Sequence, residues 1–207
     1  MAYGTPDHLD ELPDYLQDVR GGRPTPPHLV AEIRARYARI GGKSPLTALT
    51  REQVRLLGEE LRRRGCDWPV YLGMRHWKPW IRDTVKLAVA DGATELRGLV
   101  LAPHYSMLSI GKYGERLQAA LTDMPTPPSV HLVKSWWRQP AMLAAQGEVL
   151  QAALAALPEA TRSQTLVAFT AHSLPTRIRA MNDPYEAELC GNAEALAPLL
   201  GGLPWVQ

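Results

Sequence analysis

An α/β fold with parallel strands is predicted by three features of the sequence. Short β-rich runs alternate with amphipathic helical stretches, glycine and proline mark the joints, and 45% hydrophobic content over 207 residues suffices for a substantial core.

The elements follow in order. Residues 7 to 18 have helical character that Pro13 interrupts, and Gly21-Gly22 ends them. Leu29, Val30, Ile33, Tyr37 and Ile40 share one helical face, stopped by Gly41-Gly42. Thr50 with Gln53 makes a capping-box pattern for a second helix, in which Val54, Leu57 and Leu61 face one way until Gly65. Arg62-Arg63-Arg64 is read as the solvated end of that helix, where the dipole favours cations; a phosphate-binding patch is the alternative.

Val70-Tyr71-Leu72 opens a strand predicted to run to about Arg75. Pro79 is placed in the first turn of a helix whose apolar face is Ile81, Val85 and Ala88. A strand over 96–101, a helix over 109–121, a proline-rich turn at Pro125-Thr126-Pro127-Pro128 and a strand over 130–133 come next. Residues 140 to 157 are rich in Ala and Leu with Gln146, Glu148 and Gln151 interspersed, which predicts a long helix covering a sheet. A strand over 165–170 follows. Asp183, Pro184 and Glu186 then supply an N-cap, a first-turn proline and a capping-box acid for a helix to Leu200, ended by Gly201-Gly202. The predicted division is an N-terminal α/β lobe over 1–135, then a long helix and the start of a second α/β lobe over 136–207.

Composition narrows the function. The 23 Lys and Arg nearly balance 21 Asp and Glu, so the whole-chain field announces neither nucleic acid nor an acidic membrane surface. Cys66 and Cys190 lie far apart in no CxxC spacing, which argues against a disulfide scaffold or a cysteine-built zinc site and fits a reducing cytoplasm. No apolar run reaches the roughly 18 residues of a membrane span. GxGxxG after a strand, a Walker loop, GxSxG and HExxH are all missing, which removes the support for nucleotide binding, acyl transfer and zinc proteolysis.

Ligands of open α/β sheets bind beyond the carboxyl ends of the strands, and three predicted strands end in histidine: His76, His104 and His172. If those strands are parallel neighbours, three imidazoles line one cleft, which suits metal handling or proton transfer near neutral pH. Each histidine alone equally fits a structural role, bonding a loop carbonyl or capping a helix. Trp136-Trp137, Trp77 and Trp80 fit either the face of a large flat ligand or a cover for the core.

Phe169-Thr170-Ala171-His172-Ser173-Leu174-Pro175, followed by Asp183-Pro184-Tyr185, resembles the ferrochelatase signature. The blocks MAYGTP, DVRGGRPTPP, RYARIGGKSPL, GMRHWKP and VLAPHYSMLSIGKY resemble ferrochelatase blocks in family order. The resemblance implies a flavodoxin-like (Rossmann-like) pair of lobes around a porphyrin cleft, and a reaction in which Fe2+ replaces two pyrrole protons.

By the resemblance, His172 is the active-site histidine, either binding the metal or accepting a pyrrole proton. One ring nitrogen cannot do both at once. Tyr3 matches the tyrosine that approaches the metal from the opposite face in the Gram-positive type, which favours coproporphyrin III over protoporphyrin IX as substrate. Arg20 and Ser44 match positions that meet the propionates and the rim, and Tyr113 joins them. Iron is a substrate, no organic cofactor is implied, and an iron–sulfur cluster is left open. The family's acidic metal residue and the rest of the second lobe fall beyond Gln207, and Tyr3-Gly4-Thr5-Pro6 resembles a turn after a strand of which two residues remain. The expectation is therefore part of a longer cytoplasmic, monomeric enzyme without nucleic-acid partners. The alternatives are a porphyrin- or haem-binding module without turnover and a related cobalt chelatase.

Overall fold

The computed structural model describes residues 1–122 and 124–207. They form two compact units: Met1–Leu101 with Tyr113–Leu132, and Ala102–Lys112 with Val133–Gln207. The α/β class is as predicted.

In the first unit a 3₁₀ turn, Leu9–Glu11, leads directly into α1 (Leu12–Val19), with Pro13 inside the first turn of that helix. The expected interruption is absent because a first-turn N–H has no helical acceptor, so proline forfeits nothing there. The Glu11 carboxylate accepts the N–H groups of Asp7 and His8 at 2.9 and 3.1 Å. Leu12 and Tyr15 are buried with Trp77, and Ile33 and Tyr37 of α2 (Pro27–Arg39) pack on that cluster.

The start of α3 (Leu46–Arg63) corrects the capping-box expectation. Ser44 Oγ accepts the Leu46 N–H at 3.2 Å, and Thr50 lies one turn inside, buried, its hydroxyl donating to the Leu46 carbonyl at 2.7 Å. A helical threonine that reaches the carbonyl four residues back has no cap to make. At the far end Glu60 pairs with Arg63 and Arg64, so the arginine run is a solvated helix end.

The strand expected over 70–75 is also corrected: it shrinks to a bridge at Met74, which pairs in parallel with Ala2 and with Trp80. Met74 is fully buried; its N–H donates to the Pro79 carbonyl at 2.6 Å and its carbonyl accepts Ile81 N–H at 3.1 Å. The chain thus folds back on the groups a longer ladder would use. Pro79, in a cis peptide with Lys78, precedes α4 (Ile81–Ala90) and is not in its first turn, whereas Ile81, Val85 and Ala88 are buried as predicted. Residues 1–3 run beside 73–76, through Arg75 N–H to Ala2 O (2.9 Å) and His76 N–H to Tyr3 O (2.8 Å), and Leu101 N–H reaches Met1 O at 3.0 Å. β1 (Glu95–Leu99), α5 (Ile110–Ala119) and β2 (Ser129–Val133) follow, with β1 and β2 adjacent in one sheet.

The second unit holds α6 (Pro140–Ala155), α7 (Glu159–Arg162), β3 (Val167–Ala168), α8 (Arg177–Ala180), α9 (Tyr185–Leu196), a 3₁₀ turn over Ala197–Leu200, and β4 (Trp205–Val206). β3 and β4 pair in parallel, Val167 with Trp205 and Ala168 with Val206. The strand expected over 165–170 is therefore cut to two residues, since a ladder is no longer than its partner. The main neighbours of α6 are α9 and the 3₁₀ turn, which corrects its reading as a sheet cover. Asp183 caps α9 through Oδ1, which accepts Tyr185 N–H at 3.0 Å, while the expected capping acid Glu186 instead grips Arg179 at 2.9 Å. The α-helix stops at Leu196, short of Leu200, because Pro198 offers no N–H to continue the ladder.

Candidate active site

Tyr3, Arg20, Ser44 and Tyr113 belong to the first unit, and His172 to the second. Each unit contributes its own constellation.

In the first, the backbone pairing of residues 1–3 with 73–76 sets the Tyr3 ring against the His76 ring, centroids 4.5 Å apart. His76 is buried, and its Nδ1 lies 2.7 Å from Asp18 Oδ2. A carboxylate only accepts, so Nδ1 carries the proton and Nε2 the lone pair. Burial holds the imidazole pKa below its ordinary value, outweighing the hydrogen bond to Asp18 that would raise it. Arg116 braces Asp18 at 3.3 Å.

Arg75 ties two predicted residues together. Its guanidinium lies over the Tyr113 ring, 5.4 Å from the centroid, and its charge also reaches the Tyr3 phenol. Burial nevertheless raises both phenols, Tyr113 to about 12, so both stay protonated at neutral pH. Arg20 is half-buried with Nε lacking a partner, and Ser44 is occupied in capping α3.

In the second unit His172 is exposed, and its carbonyl accepts the Tyr185 hydroxyl at 3.0 Å. The Asp183 carboxylate also takes the Ser106 hydroxyl at 2.9 Å and Met107 N–H at 2.7 Å. The Asp-Pro-Tyr segment thus fastens the loop after β1 as well as the backbone of His172. Glu188 secures the same loop through Tyr105 N–H at 2.7 Å and the Ser135 hydroxyl at 2.9 Å.

The two other strand-end histidines have structural partners. His76 pairs with Asp18, and His104 donates from Nε2 to Asn192 Oδ1 at 3.0 Å while lying over Trp137. Trp77 and Trp137 are buried, which selects the core-covering alternative for them. Among the described residues, no three His, Cys, Asp or Glu side chains converge to hold a metal ion. No helix there is long and apolar enough to cross a membrane.

Sequence reasoning passed over Asp18, Arg75, Arg116 and Glu188. Asp18 lies 58 residues from His76, and no local spacing announces such a pair.

The family model for ferrochelatase matches residues 1–206. The chain belongs to the ferrochelatase family. It is 41% identical to a ferrochelatase of Herpetosiphon aurantiacus over 206 residues, covering 99% of this chain and 68% of that relative. A ferrochelatase of Deinococcus radiodurans is 39% identical, and a coproporphyrin III ferrochelatase of Geobacillus kaustophilus 38% identical, each over 97% of this chain and 64% of its own length. The chain spans about two thirds of the length of these curated relatives.

Proposed function

We propose that this ferrochelatase-family chain takes part in inserting Fe2+ into coproporphyrin III, a step of haem biosynthesis in which two pyrrole protons leave as the metal enters. The observation that carries the reading is the family match over residues 1–206, with relatives named for that activity. A reducing cytoplasm completes the reading, supported by the free thiols of Cys66 and Cys190.

The residues divide the work by chemistry. His172 projects from an exposed segment whose backbone is held by Tyr185, and an imidazole in its neutral form offers one lone pair, either to a metal or to a pyrrole proton. Tyr3 presents a protonated phenol, a weak oxygen donor that a divalent cation meets without a charge to displace. The Arg20 guanidinium, with Nε unpartnered, suits a propionate through charge-assisted hydrogen bonds. Arg75, over Tyr113 and near Tyr3, fixes the polarity of that surface.

The test is anaerobic insertion of Fe2+ into coproporphyrin III, with His172→Ala compared to wild type. Abolished insertion with retained porphyrin binding, read from the Soret band, is the expected result. Equal rates in the two proteins would sink the role of His172. Binding without insertion in both would favour the module without turnover.

A further inference from the structure

Residues 170–174, with His172 at their centre, belong to no helix or strand, and all but Leu174 are exposed. On either side the chain is anchored, by Phe169 N–H to Val206 O at 2.9 Å and by Ile178 N–H to Pro175 O at 3.0 Å. Between those anchors, among the described residues, a single hydrogen bond holds the segment, from the Tyr185 hydroxyl to the His172 carbonyl at 3.0 Å. We propose that Tyr185 is a positioning residue for His172, fixing its backbone so that the imidazole keeps one place while metal and porphyrin meet. The inference rests on the role given to His172 above and adds the side chain on which that role depends.

Tyr185 is itself firmly based. It opens α9, where Asp183 Oδ1 accepts its N–H at 3.0 Å. The other oxygen of Asp183 takes the Ser106 hydroxyl at 2.9 Å and Met107 N–H at 2.7 Å, so the capping carboxylate is held from both sides. Upstream, Asn182 has φ +51°, a left-handed turn that ends α8, and Asp183 N–H returns to Ile178 O at 3.1 Å. The phenol is half-buried, and desolvation raises its pKa, so the hydroxyl stays protonated and donates. From this base it reaches the carbonyl of a residue 13 positions away.

The segment has no other source of order. An exposed stretch with neither a ladder nor packing samples many backbone conformations unless a specific bond removes that freedom. Misplacing a reacting group by about 1 Å can cost about a hundredfold in rate, so a bond that fixes His172 acts on turnover and not on porphyrin affinity.

The experiment is Tyr185→Phe in the whole chain, which keeps the ring and removes only the hydroxyl. Backbone nitrogen relaxation should show the order parameters of Ala171, His172 and Ser173 falling toward the flexible range below about 0.6, with those of α9 unchanged. In anaerobic insertion of Fe2+ into coproporphyrin III, kcat should fall roughly tenfold at unchanged KM for the porphyrin, the weight of one hydrogen bond. The loss should vanish when Tyr185→Phe is combined with His172→Ala, since the two act through one group. A merely structural role would lower the melting temperature and leave turnover per folded molecule unchanged. Order parameters at 171–173 equal to wild type would overturn the proposal, as would an unchanged kcat in Tyr185→Phe where His172→Ala abolishes insertion. If His172→Ala inserts iron as fast as wild type, or the wild-type chain inserts none, the reading of the reaction fails instead, and the relaxation result decides whether Tyr185 holds this segment.

Discussion

His76 shows how a single side chain acquires its chemical state. Burial alone would leave an imidazole free to choose either neutral tautomer, but Asp18 at 2.7 Å selects the Nδ1–H form. Asp18→Asn should lower the His76 pKa further, since the carboxylate is what raises it, and should cost at most about 1 kcal/mol as the half-exposed Arg116 loses its ion pair. Nitrogen NMR of the ring and urea titration would read both effects. His76 and His104 also link stability to pH. Their folded pKa values lie below the unfolded value of about 6.5, so the unfolded chain binds more protons as pH falls. The stabilisation is complete above about pH 6.5 and is lost as pH falls toward the lowered folded values. The urea midpoint should therefore drop between about pH 7.5 and pH 5.5, and less steeply in His76→Gln. A drop of the same size in that variant would show that His76 does not carry the effect.

Among the elements, close approach matters more than propensity. Gly4 has φ +94°, and a Cβ there would meet the Trp77 backbone nitrogen at 2.8 Å. Gly4→Ala combines left-handed strain with a backbone clash and should destabilise the first unit by roughly 2–4 kcal/mol, visible as a lowered melting temperature. In the second unit, a Cβ at Gly191 of α9 would lie 2.7 Å from the Trp137 ring. Gly191→Ala is expected to shift the near-ultraviolet signal of that tryptophan, because the ring must move to admit a methyl group. The helices were legible wherever a 3.6-residue apolar period stood alone, as at Ile81, Val85 and Ala88. Thr50 and Pro79 depart from the sequence expectation because each pattern has two structural solutions: the Thr50 hydroxyl turns onto the Leu46 carbonyl of its own helix, and the Pro79 carbonyl is taken by Met74 N–H ahead of α4.

Across the molecule, apolar surface is unevenly spread. α6 carries an apolar groove of about 550 Å³ with Met142, Val149, Leu150, Phe169 and Leu196 on its wall, and Val149 is 72% exposed. Exposed apolar surface of this kind binds dyes such as ANS. Val149→Glu should reduce ANS fluorescence while changing stability by no more than about 0.5 kcal/mol, because the side chain gives up little burial. A large loss of stability would mean that Val149 is covered in solution.

The sequence by itself determined the α/β class, the buried α4 face of Ile81, Val85 and Ala88, and the His172-Ser-Leu-Pro and Asp-Pro-Tyr motifs that resemble ferrochelatases, because period and motif are written in neighbouring residues. Only the tertiary structure decided that Asp18 sets His76, that Arg75 joins Tyr113 to the Tyr3 side, and that Asp183 and Glu188 fasten the loop at Tyr105–Met107. The paired residues are separated by 38 to 83 positions where one hydrogen bond or ring contact joins them, and those contacts form only when the chain closes loops that no local spacing records.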